Sequence, residues 1–171
     1  MNIKKLAMIL LICLAMAIPA AAQGIYTTTG TGTTVNGNVY PAKSDVYLSG
    51  GPQNCVGNGL PDGTYYFQVT DPSASVLLSS DALVDRTLQV TGGQGYMNVY
   101  SGSHLTSTGP CNAAGAIGIQ LLPYSNTPNM GGEYKVTVFS ASCSTEGGVR
   151  PTRCDPAVFF FCRYNPNVYI R

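Results

Sequence analysis

Tryptophan is absent from this 171-residue chain, histidine occurs once, and only nine basic and eight acidic residues are present. Each scarcity removes a class of function. Grooves that cleave sugars are usually lined by Trp, so its absence argues against a glycosidase, whatever carboxylate pair could be assembled. One histidine and no C-x-x-C leave zinc without the close ligand pairs it prefers. The few charges are scattered, so no basic stripe offers a nucleic-acid footprint. Beyond the first 22 residues no window holds a sustained 3.6-residue apolar stripe, which predicts almost no helix, and no second apolar span occurs. No break in composition marks a second domain.

The residues in plain supply are Gly, Thr, Ser, Asn and eleven Tyr, a mixture common in extracellular β proteins. The head of the chain agrees. Lys4 and Lys5 precede the uncharged apolar run Leu6 to Ile18, and Ala20-Ala21-Ala22 supplies small residues for a signal peptidase. Residues 1–22 therefore read as a secretory signal cleaved before Gln23. The run is short for a membrane span, and Leu11 and Ile12 are too bulky for Cys13 to be a lipidation site. Removing the two lysines takes the formal charge from +1 to −1. The mature chain is expected to be secreted or displayed at the cell surface, with no membrane segment and no sorting signal.

Alternation is the strongest structural signal. Leu60-Pro61-Asp62-Gly63-Thr64-Tyr65-Tyr66-Phe67-Gln68-Val69-Thr70 is a turn feeding a period-2 strand, and Gly131-Gly132-Glu133-Tyr134-Lys135-Val136-Thr137-Val138-Phe139 repeats the device. Tyr65, Phe67 and Val69, then Tyr134, Val136 and Val138, form faces that bury against a second sheet. Further strands are expected at Asp45–Ser49, Ser75–Ser79, Thr87–Thr91, Tyr96–Tyr100, Ile117–Leu122, Val158–Phe161 and Asn167–Ile170. Ser101–Ala114 reads as loop. Short strands separated by turn signals predict an all-β, antiparallel β-sandwich over residues 45–171. Residues 23–44 form a Thr/Gly-rich N-terminal arm, either edge strand or linker.

Five cysteines follow the signal: Cys55, Cys111, Cys143, Cys154 and Cys162. In an exported chain disulfides are the default. Cys55 and Cys111 lie in Gly/Asn-rich loops and can pair across one end of the sandwich. Cys143, Cys154 and Cys162 bracket the loop Ser144–Arg153. Five is odd, so one thiol is left over, and spacing does not say which.

The phrase Leu60-Pro61-Asp62-Gly63-Thr64-Tyr65 resembles the Cna B-type, or SdrD B-like, prealbumin-like modules of bacterial surface proteins. The wider pattern, Asp45–Pro52, Leu60–Pro72, Gln120–Tyr124 and Asn126 through Val136, is similar to a group of uncharacterised exported bacterial proteins. The resemblance implies an Ig-like extracellular fold and a place in adhesion, matrix or stalk building, and no known reaction. Some such modules carry an internal Lys–Asn isopeptide bond beside a buried acid. Lys43 with Asn165 or Asn167 are the candidates here, with Glu133 or Asp81 as the acid. Lys43 lies in a loop-like Pro-Ala-Lys context and no glutamate box follows, so the competing reading is a solvated lysine and turn-forming asparagines.

No catalytic or cofactor-binding constellation stands out. His104 sits in Ser101-Gly102-Ser103-His104 without a G-x-S-x-G nucleophile motif and reads as a surface histidine. Asp62 and Asp71 precede Gly and Pro, which are turn duties. Asp81 and Asp85 share one loop, the single place for a weak calcium site, and they lack EF-hand spacing. Tyr66, Tyr96, Tyr100 and Tyr124 include outward or loop positions, where Tyr makes an economical contact residue; for those on strands ordinary cross-strand packing is the expectation, and loop residue Tyr124 is left open. Three functions follow, in order: a non-catalytic extracellular module, either structural or binding a protein or glycan, a subunit of a polymer of its own copies, and a small secreted hydrolase or inhibitor.

Overall fold

The computed structural model describes residues 24–37, 39–52, 55 and 59–141, and the backbone of 158–162. Among these residues the bounded helical elements are three single 3-10 turns. Nine strands make two antiparallel sheets: β1 (Ile25–Thr28), β2 (Tyr47–Gly50), β3 (Gly63–Thr70), β4 (Thr87–Val90), β5 (Met97–Tyr100), β6 (Thr106–Thr108), β7 (Ile117–Gln120), β8 (Tyr134–Ser140) and β9 (Val158–Cys162). One sheet runs β1-β2-β7-β6 and the other β5-β4-β3-β8-β9. The chain is an all-β sandwich.

The two repeated phrases become the central pair of the larger sheet. β3 and β8 are antiparallel neighbours, with Tyr65 opposite Ser140, Phe67 opposite Val138 and Val69 opposite Val136. Their inward residues join Ile25, Leu48, Leu88, Val90, Met97 and Ile119 in one core. Phe67, Val69 and Leu48 are wholly buried, and a fully buried side chain of this size contributes about 1.5–3 kcal/mol. Tyr65 donates its hydroxyl to Pro61 O at 2.8 Å, which closes the entering turn on itself.

The arm is not a tail. Ile25–Thr28 pairs with β2, Ile25 opposite Gly50 and Thr28 opposite Tyr47, and all four residues are buried. Gly24 lies so close to Gly51 that a Cβ there would stand 2.1 Å from the Gly51 carbonyl oxygen, so only glycine fits.

Two expectations of local structure fail for physical reasons. Ser75–Ser79 forms only the single bridges Thr70 to Leu77 and Ser79 to Tyr124. The Asp71 carboxylate gathers the amides of Ser73, Ser75 and Val76, with the Ser73 hydroxyl, and amides turned into that loop cannot feed a ladder. Ser101–Ala114 is not all loop, since Thr106–Thr108 forms β6 along the edge of β7. The expected strand at Asn167–Ile170 lies outside the described residues.

Candidate functional site

Three chemically able side chains meet inside the sandwich: Asp81, Arg86 and His104. The connection from β3 to β4 brings the first two. Asp81 stands just before the 3-10 turn Leu83–Arg86, and Arg86 ends that turn. His104 comes from the connection between β5 and β6. The expected surface histidine is therefore a buried one, its side chain 0% exposed and Asp81's 8%.

His104 Nε2 lies 3.0 Å from Asp81 Oδ2, and Nδ1 lies 2.7 Å from the Gln120 carbonyl oxygen of β7. A carbonyl only accepts, so Nδ1 carries a proton. Nε2 faces a carboxylate, and a second proton, on the ring or on Asp81, completes that bond. Arg86 Nε lies 3.4 Å from the same Oδ2, at ion-pair distance but without hydrogen-bond alignment. Its Nη1 donates to Phe67 O of β3 at 3.2 Å and its Nη2 to Asp81 O at 3.4 Å. The cluster thus bridges the sheets, with Arg86 on β3 and His104 on β7. Asp81 Oδ1 is buried and accepts no hydrogen bond from any described residue.

Aromatic rings wall the histidine. Phe67 and Tyr100 meet it edge-on, with centroids 5.3 and 6.1 Å away. The His104 amide donates to the Tyr100 hydroxyl at 2.9 Å, and that hydroxyl donates to Asp85 O. Burial raises the Tyr100 hydroxyl above the ordinary tyrosine range; the His104 amide counters this, and the charges of Asp85 and Asp81 push it further up.

A catalytic histidine orients one nitrogen on an acid and keeps the other for a nucleophile or substrate. Here both nitrogens have interior partners and the ring is buried. Asp81 turns Oδ2 to both Arg86 and His104. Among the described residues no three His, Cys, Asp or Glu side chains gather around a possible ion.

Cys55 and Cys111 are joined, Cα to Cα 5.4 Å, closing a separation of 56 residues. Cys111 is buried with Tyr96 and Ala116 in a small second cluster, while Cys55 is exposed. Cys143 and Cys154 lie outside the described residues, and of Cys162 only the backbone, at the end of β9, lies within them.

Lys43 opens the 3-10 turn Lys43–Asp45. Its Nζ donates to Tyr124 O at 3.1 Å and lies 4.6 Å from the Tyr124 ring centroid and 5.4 Å from that of Tyr134. Burial lowers its pKa below the ordinary lysine value. Half-buried rather than free on the surface, it makes a cation–π tie between the turn before β2 and the chain entering β8. Asn165 and Asn167 lie outside the described residues.

The tyrosines pack rather than stand free, as expected for those on strands. Tyr66, Tyr96 and Tyr124 are buried, and Tyr100 is half-buried. Tyr66 stacks on Phe139 at 5.1 Å, and Tyr124 meets Tyr134 edge-on at 5.2 Å.

Sequence reasoning missed Arg86 altogether. Its one signal is a basic residue that follows Ala82-Leu83-Val84-Asp85 and stands two residues before the core residue Leu88. No family model matches this chain, and neither a curated protein nor a solved structure does.

Proposed function

We propose that this chain is an exported, Ig-like β-sandwich that works as a non-catalytic binding or structural module outside the cytoplasm. The Cys55–Cys111 disulfide carries the reading, because such bonds persist in oxidising compartments and are rare in the cytosol. The leader-like residues 1–22 support it from the sequence. The commitment of both His104 nitrogens to interior partners supports a structural use of the one histidine. Contacts with an extracellular protein or glycan would run through loops and sheet edges. Val84, Val99 and Leu105 are exposed apolar residues on the turn before β4, on β5 and just before β6.

One observation favours a second reading, a polymer of its own copies. β1 is an edge strand, wholly buried, beginning two residues after the expected mature N-terminus Gln23. A terminal strand of this kind is the element that copies can exchange.

Expression of the full chain in a bacterial host, followed by fractionation, tests the main reading. The expected result is oxidised protein outside the cytoplasm, monomeric on size exclusion and binding an extracellular protein or glycan array saturably. A ladder of oligomers that collapses when β1 is deleted favours the polymer. Reduced protein held in the cytoplasm, or a hydrolytic turnover abolished by His104→Ala, contradicts both.

A further inference from the structure

The outward side of the larger sheet is dry where a two-layer sandwich should be wet. On β3 and β8 the inward residues alternate with Tyr66, Gln68 and Thr70 and with Lys135, Thr137 and Phe139. These six stand on the opposite face, in rows: Tyr66 beside Phe139, Gln68 beside Thr137, Thr70 beside Lys135. None is more than 8% exposed. The four-stranded sheet packs on the other face and cannot cover them. Farther across the same outward face, Gln89 of β4 and Val99 of β5 are exposed, as is Thr64 at the start of β3. The covered area is therefore a strip confined to β3 and β8, on the side of the sheet that β9 borders.

We infer that this strip is the docking surface for the chain's own C-terminal residues, 163–171. β9 ends at Cys162, which stands opposite Tyr134. That point adjoins the Thr70–Lys135 row, one end of the strip. From that row to the Tyr66–Phe139 row is four residues along the strand, about 14 Å at about 3.4 Å per residue. The nine residues after Cys162 reach at most about 30 Å when extended, enough to turn back and run the strip's length. Their sequence suits the task. Asn165-Pro166-Asn167 is turn chemistry, and Val168-Tyr169-Ile170 supplies apolar side chains for the stacked Tyr66 and Phe139 rings. The occupant is a segment of the same molecule. The inference stands apart from the functional reading, since it holds for a binding module and a polymer subunit alike.

The lack of native tryptophan makes the test clean. Tyr66→Trp is introduced into the signal-less chain 23–171 and into the same chain ended after Cys162, with Val99→Trp in both as the control on the exposed part of the face. Acrylamide quenching and emission wavelength are read at several protein concentrations. The expected result is a blue, poorly quenched signal at position 66 in the full mature chain, turning red with several-fold stronger quenching on truncation, while position 99 does not change. Should the shortened chain fail to give a β-sheet circular dichroism spectrum, Ile170→Asp with Tyr169→Asp in the full mature chain replaces it, with the same expected exposure. A fully quenched signal in the uncut mature chain overturns the inference, because the cover is then absent from the mature molecule. So does persistent protection after tail loss, which assigns the cover to another segment, or to a second copy if protection falls on dilution.

Discussion

Asp71 shows how much one carboxylate can organise. It accepts backbone amides at Oδ1 from Ser75 (2.8 Å) and Val76 (2.7 Å), and at Oδ2 from Ser73 together with that residue's hydroxyl. Burial alone would raise its pKa, but these donors outweigh burial and hold it below the usual carboxylate value. A depressed folded-state pKa gives stability that is present above the unfolded value, about 3.9, and lost as pH falls through the folded one. Asp71→Ala should cost about 1.5–3 kcal/mol at neutral pH. Below about pH 4, as the wild-type carboxylate takes up its proton, the two chains should converge. Urea unfolding at several pH values checks it, and a constant difference down to acid pH would contradict the assignment. Gly51 is a second residue-scale case. Its φ is +120°, and a Cβ there would stand 2.1 Å from the Tyr96 ring. Gly51→Ala should lower the thermal midpoint through both strain and clash, whereas Gly92→Ala, also at positive φ but with nothing within 4 Å, should lower it less. The duty of Asp71 was readable from its neighbour Pro72 as a turn residue. The burial of His104 was not: the loop hides the histidine and exposes Leu105, reversing the local polarity pattern because the ring's partner lies 23 residues away.

At the scale of elements, the strands that could be read were those whose side chains alternate over a long span. β3 and β8 follow their sequence phrases because one face of each is continuously apolar and a turn fixes its start. β6 escaped because Thr106-Ser107-Thr108 is short and polar, and only the waiting edge of β7 makes it a strand. The link between the sheets escaped for a different reason. Asp81, Arg86 and His104 sit on two connections, and neither carries a local sign of the other. Their cluster yields a prediction that separates holding from chemistry. Asp81→Ala leaves the Arg86 guanidinium buried without its carboxylate, at a cost of about 3–5 kcal/mol. Replacing all three by apolar residues of similar volume should cost far less, because no charge is then stranded. Chemical denaturation of the single and triple variants decides it. A triple variant as unstable as Asp81→Ala would mean that the bridge to Phe67 O and Gln120 O, rather than charge pairing, holds the sheets.

Over the whole molecule, the architecture was largely legible and the task was not. Alternation, turn signals and the scarcity of helical stripes led to two layers of strands. Cysteine content behind a leader-like head offered Cys55 with Cys111 as one pairing, and that disulfide closes 56 residues. The arm's place in the smaller sheet was open in the sequence, since its Thr and Gly residues fit a strand or a linker equally, and the pairing with β2 decides between them. The dry outward strip of β3 and β8 was hidden because Gln68, Thr70, Lys135 and Thr137 read as a solvated face. Closing a loop of this length is worth about 4 kcal/mol in the chain-entropy account. Cys55→Ala with Cys111→Ala should lose about that amount, and reductant should destabilise the wild type while leaving this variant's Cys55–Cys111 region unaffected, as read by hydrogen exchange. Export of an oxidised sandwich is the claim on which the functional reading depends. Intact-mass spectrometry of the chain recovered from outside the cytoplasm tests it most directly. The expected mass begins at Gln23 and is lower by a pair of hydrogens for each disulfide, with a peptide linking Cys55 to Cys111 after digestion. A chain found only in the cytoplasm, still beginning at Met1 with both of those thiols free, would contradict it.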